Sequence, residues 1–153
     1  INRGVVERVL GFGTEAQYKS LMQQGPEYEH MLYEDGIELI KLWFSISKDV
    51  QAERFDSRRA DPLKQWKISP VDEHAQDRWD LYTKYKDSMF SKTHTSYSPW
   101  IIVRANDKKR ARLEGMRHVL STLEYDGKDD PHTTLSPDPD IVQRYHRASH
   151  SID

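Results

Sequence analysis

The densest group of side chains that could do chemistry lies in residues 51–72, QAERFDSRRADPLKQWKISPVD. Arg54 and Arg58 are four residues apart, so in a helix they share one face. Lys64 and Lys67 follow within the same stretch. Four cations along one groove would suit a linear polyanion with closely spaced charges. At an effective dielectric of about 20, one ion pair at ~4 Å is worth about 4 kcal/mol, against roughly 0–1 kcal/mol for a solvated surface pair.

The alternative for these residues is an ordinary solvated helix face. The acidic neighbours Glu53, Asp56 and Asp61 could pair locally with the basic side chains. Surface pairs of this kind need no ligand. The spacing alone therefore leaves both interpretations open.

Other charged and aromatic residues give weaker indications. His146 and His150 have the i, i+4 spacing of a metal pair, but no carboxylate stands at a suitable offset. A second basic run follows a predicted strand, and it is interpreted as a solvated helix face because the chain is not net basic. No nucleic-acid partner is therefore expected. The run comprises Arg104, Lys108, Lys109, Arg110, Arg112 and Arg117. The tryptophans Trp43, Trp66, Trp79 and Trp100 are expected to pack in the core or a lid.

Composition excludes several classes of protein. The 153 residues include no Cys, which excludes disulfides, zinc fingers, iron–sulfur sites and a thiol nucleophile. No apolar stretch is long enough to span a membrane, so no membrane partner is expected. No signal peptide is visible, and we expect a cytoplasmic protein. The chain begins with Ile1 and contains no G-x-x-x-x-G-K-[ST] motif, so we expect a fragment of a longer protein.

The N-terminal part reads as helices separated by clear stop signals. A helix over residues 3–10 should end at Gly11, and Thr14 with Gln17 should form a capping box for the next helix. That helix is expected to stop at Gly25-Pro26, where another begins and runs to about Asp35.

The rest of the chain alternates between helices and two strands. Residues 37–46 and 100–104 are rich in β-branched and aromatic residues and read as buried strands. Helices are expected at 48–60, from Ser69-Pro70 to about Lys92, and at 107–123, where a stripe of Leu113, Met116, Leu120 and Leu123 has helical spacing. This rhythm predicts an α/β protein with parallel strands, and two strands make a poor sheet, so further strands should lie before Ile1. Residues 126–153 read as a disordered tail with a short helix around 141–148.

Several motifs, in collinear order over residues 2–125, resemble the polyphosphate kinase 2 family. The segment from Arg54 to Asp72, with Asp61-Pro62-Leu63-Lys64 and Trp66-Lys67-Ile68-Ser69-Pro70-Val71-Asp72, resembles its lid module. The stretches at Asn2–Glu7 and Gly11–Thr14 resemble the residues that follow its Walker B motif. Ser98-Pro99-Trp100 and Asn106–Arg112 resemble its C-terminal strand and helix.

The resemblance implies a P-loop kinase-like three-layer α/β sandwich, of which this chain is a mainly helical C-terminal part. Residues 1–125 would hold two parallel strands and a helical lid at about 48–92. The implied reaction is reversible phosphoryl transfer between inorganic polyphosphate and a nucleoside diphosphate, ADP or GDP to ATP or GTP, with Mg²⁺. A homo-oligomer is implied for the full-length form.

The resemblance also implies roles for individual residues. Arg54 and Arg58 would act catalytically by closing over the transferring phosphoryl, and Lys64 and Lys67 would bind the phosphates. Substrate-site residues are further expected at Asn2, Arg3 and Glu7. No metal ligand is expected in this chain, because the family's Walker A loop and Walker B aspartate would precede Ile1. The isolated chain is therefore predicted to be inactive. A non-catalytic polyanion-binding module and a helical interaction domain with only surface cations are the alternatives.

Overall fold

The computed structural model describes residues 4–128, 130 and 132–147, and they fall into two compact units. The helical unit comprises the chain up to Gly25 together with Ile46–Thr93. The sheet unit comprises Pro26–Ser45 together with the chain from His94 onward. No described helix combines the length and the apolar composition needed to cross a bilayer.

The helical unit is built from short helices with a small apolar core. Its elements are α1 (Val6–Leu10), the start of α2 (Glu15–Glu34), α3 (Lys48–Ala60), a 3₁₀ turn (Gln65–Lys67), α4 (Pro70–Glu73) and α5 (Trp79–Thr93). Tyr18 and Phe55 are buried with Met89 and Phe90 of α5. Gly4 fits closely against this core, because a Cβ there would lie 3.0 Å from the Cε of Met22.

The predicted end of the first helix and the predicted start of the second are confirmed, whereas α1 begins only at Val6. Gly11 ends α1 with φ 79°, a conformation that glycine adopts without steric cost. The Thr14 hydroxyl accepts from the Gln17 N–H at 3.2 Å, while the Gln17 side chain accepts from the Thr14 N–H at 2.9 Å. This reciprocal pair is the capping box that the sequence predicts.

The predicted stop at Gly25-Pro26 is wrong, since α2 continues through both residues to Glu34. A proline ring normally clashes with the Cβ of the preceding residue and disfavours its helical conformation. Gly25 has no Cβ, so this part of the penalty is absent here. The helix therefore contains Pro26 at the cost of one backbone donor.

The predicted long helix from Pro70 to Lys92 is also wrong, because it is divided into α4 and α5. A capping box between Ser69 and Asp72 starts α4 as expected. Residues 74–78 then form turns instead of α-helix. Two side chains of this stretch form hydrogen bonds with residues distant in sequence. Gln76 donates to the Gln51 side chain at 2.8 Å, and Arg78 donates to the Val9 carbonyl at 2.8 Å. These tertiary bonds hold the interruption in place.

The sheet unit contains a mixed three-stranded sheet in the order β1-β2-β3 among the described residues. Strands β1 (Lys41–Ser45) and β2 (Trp100–Arg104) are parallel, in register from Lys41 opposite Trp100 to Ser45 opposite Arg104. This confirms the two predicted parallel strands. The first is shorter than predicted and less buried, with Phe44 52% exposed, because β1 lies at an edge of the described sheet.

The third strand, β3 (Val142–Arg144), lies inside the segment predicted to be disordered. It pairs antiparallel with β2, and flanking bonds join the Arg104 N–H to the Ile141 carbonyl and the Tyr145 N–H to the Trp100 carbonyl. The disordered-tail and short-helix predictions are therefore wrong for these residues. The physical reason is that an edge of β2 supplies backbone partners that residues 142–144 do not have locally. Residues 148–153 lie outside the described part of the chain.

Helix α6 (Lys108–Thr122) begins at Asp107, whose carboxylate accepts from the Lys109 and Arg110 N–H groups. The boundaries of this helix are as predicted, but the buried face is not. Ala111, Glu114 and Gly115 are buried, whereas the predicted apolar stripe is largely exposed. Gly115 lies on the face that contacts β1, since the Phe44 ring is 3.5 Å from the position of a Cβ at Gly115.

A histidine of the sheet unit should make stability depend on pH. Burial, then the charges of Arg144, Arg147, Lys41 and His146, lower the pKa of His94 from its ordinary value of 6.5. The His94 Nδ1 accepts from the buried Trp100 N–H at 3.1 Å, which protonation of Nδ1 would prevent.

Between the lowered pKa of folded His94 and the ordinary value of 6.5, the unfolded chain therefore binds more protons than the folded chain. The contribution of neutral His94 to stability is complete above pH 6.5 and falls as pH decreases through that window. We expect the thermal midpoint of unfolding to fall on acidification. The fall should be smaller in His94→Asn, because the asparagine amide oxygen can still accept from the Trp100 N–H and does not titrate. Equal pH slopes for the two proteins would contradict this expectation.

Candidate functional site

Helix α3 positions the two predicted catalytic arginines. The Ser47 hydroxyl caps its start by accepting from the Val50 N–H at 3.3 Å. Phe55 anchors the helix in the core and is 6% exposed. Arg54 and Arg58 are each partly exposed, and the Arg58 guanidinium lies 5.8 Å from the Phe55 ring centre. Because the helix is continuous through both positions, the two arginines share one face as predicted.

The predicted phosphate-binding lysines lie in the segment that follows α3. The 3₁₀ turn packs against α3, so Lys64 and Lys67 stand close to the end of the arginine-bearing helix. The Lys64 ammonium lies 2.5 Å from the Asp61 carboxylate. The Lys67 ammonium lies 5.2 Å from the Trp66 ring centre. The structure thus places the arginines on α3, Lys67 on the 3₁₀ turn and Lys64 directly before this turn, all in one unit.

Local pairing, the alternative interpretation, is correct for part of this segment. A hydrogen bond from Lys64 lowers the pKa of Asp61, and a backbone bond from Leu63 adds to the effect. Asp61 is therefore ionised at neutral pH and offsets one of the four positive charges. Asp56 pairs with Arg59 at 3.0 Å.

The turn also presents apolar surface to solvent. Leu63 is 83% exposed and Trp66 is 77% exposed. The Trp66 indole N–H donates to the Leu63 carbonyl at 2.8 Å, which fixes the ring on the surface. Core packing is therefore wrong for Trp66, although it is right for the buried Trp100. Adjacent exposed apolar and cationic side chains are typical of a surface that meets a ligand or another segment.

The remaining predicted site residues are less informative. Asn2 and Arg3 lie outside the described residues. Glu7 is on α1 and is partly exposed, and its backbone carbonyl accepts from the Phe12 and Gly13 N–H groups. Its predicted role in the substrate site stays a prediction.

Sequence reasoning missed the contacts that hold α3 in place. The Gln76 amide donates to the Gln51 side chain and, at 3.3 Å, to the Lys48 carbonyl, so it ties the α4–α5 junction to the start of α3. Neutral amides in an apparently continuous helix carry no pattern that would predict this role.

The described residues do not fit a magnesium site. Nowhere in the described part of the chain do three His, Asp or Glu side chains gather closely enough to hold a metal ion. The Asp61 carboxylate, which lies in the same segment as the cations, is engaged by Lys64. No step of the chemistry is therefore assigned to a metal held by these residues.

Comparison with known proteins gives matches to a single family. A sequence model of the polyphosphate kinase 2 family matches residues 1–131. The "NDP-polyphosphate phosphotransferase 2" of Ruegeria pomeroyi is 53% identical over 145 residues, covering 95% of this chain and 42% of that protein. The "GDP-polyphosphate phosphotransferase" of Mycolicibacterium smegmatis is 48% identical, covering 94% of this chain and 50% of that protein.

A solved structure adds a comparison of the fold. The crystal structure of polyphosphate kinase 2 from Arthrobacter aurescens TC1 superposes with a TM-score of 0.65 at 35% identity, over 71% of this chain and 38% of that one. The chain spans half or less of the length of the two curated relatives. With 131 residues matched by the family's own sequence pattern, the chain belongs to the polyphosphate kinase 2 family.

Proposed function

We propose that this chain serves reversible phosphoryl transfer between inorganic polyphosphate and a nucleoside diphosphate, ADP or GDP to ATP or GTP. The observation that carries the proposal is the placement of Arg54, Arg58, Lys64 and Lys67 on α3 and the adjoining turn. Family membership supports the same reaction, since two relatives are named as NDP- and GDP-polyphosphate phosphotransferases.

The segment 48–92 would act as the lid of this reaction. Negative charge spreads over the oxygens of a phosphoryl group during transfer, and catalysis consists largely of positioning and of neutralising that charge. The planar guanidinium groups of Arg54 and Arg58 suit this role, because each can donate two parallel hydrogen bonds to phosphate oxygens. Lys64 and Lys67 would hold neighbouring phosphates as point charges.

Other features of the proposal rest on the family alone. Asn2, Arg3 and Glu7 would contribute to the substrate site. The enzyme would have a P-loop kinase-like sandwich and would form a homo-oligomer. Mg²⁺ would be bound by residues other than those that the structure describes.

The isolated chain should bind polyphosphate without turning it over. It contains no Gly-rich phosphate loop with lysine, and its described residues gather no metal site, so most of the positioning needed for transfer is absent. We expect salt-sensitive binding of long-chain polyphosphate and no ATP formation from ADP. Measurable polyphosphate-dependent ATP formation by the purified 153-residue chain would overturn this prediction.

The function itself is tested in a chimera. The chain replaces the matching segment of the Ruegeria pomeroyi relative, which is 53% identical to it, and polyphosphate-dependent formation of ATP and GTP is measured beside the unmodified relative. Turnover supports the proposal. A folded chimera that binds polyphosphate but forms no nucleoside triphosphate would favour the non-catalytic polyanion-binding module instead.

A further inference from the structure

A second concentration of cations lies in the sheet unit, whereas the residues assigned to the lid belong to the helical unit. The end of β3 and the loop that precedes β2 line an open pocket of about 510 Å³. The residues that matter here are His94, Thr95, Ser96, Arg144, His146 and Arg147. Nothing in the proposed lid chemistry uses this pocket.

Two arginines of this pocket are held by backbone carbonyl groups. The Arg147 guanidinium donates to the His94 carbonyl at 2.9 Å, and the Arg144 guanidinium reaches the Ser96 carbonyl at 3.5 Å. Each guanidinium has five N–H donors, so most of them stay available to a ligand. Both side chains are exposed, and none of the ion pairs among the described residues involves either arginine.

The electrostatic field of the pocket is positive. Besides burial, the charges of Arg144, Arg147, Lys41 and His146 lower the pKa of His94. Cations that repel a proton at His94 would attract an anion to the same place. The Ser96 hydroxyl lies beside the arginines and can donate to the oxygens of such an anion, whereas the Thr95 hydroxyl donates to the Ser98 carbonyl at 3.3 Å.

We propose that this pocket binds phosphate groups. Two guanidinium forks and a hydroxyl donor match the several oxygens of a phosphate chain better than a single carboxylate. The phosphates could belong to an inorganic chain or to a nucleotide. The proposal does not rest on the catalytic role of Arg54 and Arg58, which lie in the other unit.

The test is a titration of the full 153-residue chain with tripolyphosphate, followed by the imidazole NMR signals of His94 and His146. We expect saturable shifts at low salt, and about tenfold or more weaker binding in Arg144→Gln/Arg147→Gln, since charge-assisted bidentate contacts are lost. Parallel titrations with ADP and inorganic phosphate distinguish a nucleotide from an inorganic chain. Unshifted imidazole signals, or equal affinity in the double variant, would overturn the proposal.

Two controls separate a specific site from general charge and from unfolding. Lys109→Gln/Arg112→Gln removes the same charge from α6 and should leave the shifts and affinity within about twofold. An equal loss in that control would reject the site. Because Arg144 lies in β3, the amide signals of Val142 and Gln143 report whether the strand is intact. If the double variant detaches β3, the single variant Arg147→Gln is used instead, because Arg147 lies outside the strand. Weaker tripolyphosphate binding by this variant supports the pocket, and unchanged binding rejects it.

Discussion

Replacing Arg54 and Arg58 together by alanine in the active chimera should lower kcat by about 10³-fold or more. The two guanidinium groups share one face of α3, so both would reach a single phosphoryl group if the proposed lid closes over it. Charge that develops in the transition state is what they would neutralise, and an arginine in this role contributes about 10³–10⁵ in rate. KM for the nucleotide should change much less, because ground-state binding has other contributors.

Arg59→Ala is the matched control for this experiment. Arg59 is adjacent on the same helix, but it is 53% exposed and paired with the exposed Asp56. Its loss should change kcat less than about twofold, since exposed ion pairs of this kind contribute little. A double variant of Arg54 and Arg58 that keeps more than a tenth of the parent kcat would reject their catalytic role. Arg58→Lys separates charge from geometry, because lysine keeps the charge without the planar fork.

Local signals in the sequence predict much of the fold. Ser47 and Asp107 cap α3 and α6, and Gly11 ends α1, so boundaries set by one side chain or one backbone angle appear where expected. Strand β2 is predicted residue for residue, because its run of β-branched and aromatic residues is short and clearly bounded. The shared face of Arg54 and Arg58 on α3 follows for the same reason, since their helical spacing is local.

The features that were predicted wrongly depend on contacts between residues distant in sequence. Strand β3 is short and polar, and only pairing with β2 makes it a strand. The pocket formed by Arg144 and Arg147 with the loop at His94 depends on that strand, so the tail's composition could not predict it. The buried face of α6 was misassigned because Glu114, a charged residue, is buried and accepts a hydrogen bond from the Asp138 N–H, which is distant in sequence. Periodicity alone favours the apolar stripe on the same helix.

Glu114→Ala should be the most destabilising single charge removal in the sheet unit. The carboxylate is buried, with the residue 5% exposed. One oxygen lies 2.6 Å from the Arg117 guanidinium, and the other accepts from the Asp138 N–H at 2.8 Å. Removing the acid leaves a backbone donor and a partly buried cation without their acceptor. We expect a loss of about 3 kcal/mol in the free energy of unfolding, measured by urea denaturation. This value is at the low end of the range for buried ion pairs, because Arg117 still reaches solvent.

Glu124→Ala is the control, since Glu124 forms an ion pair with Lys128 at 2.7 Å but is 89% exposed. It should cost no more than about 0.5 kcal/mol. Because Glu114 holds the Asp138 backbone, its loss should also increase hydrogen exchange at Tyr145, whose N–H donates to the Trp100 carbonyl beside β3. Glu114→Gln keeps an acceptor for Asp138 and should protect Tyr145 better than alanine does. If the two glutamate-to-alanine variants lose equal stability, burial and the bond to Asp138 do not distinguish Glu114, and β3 must be held in place chiefly by its pairing with β2.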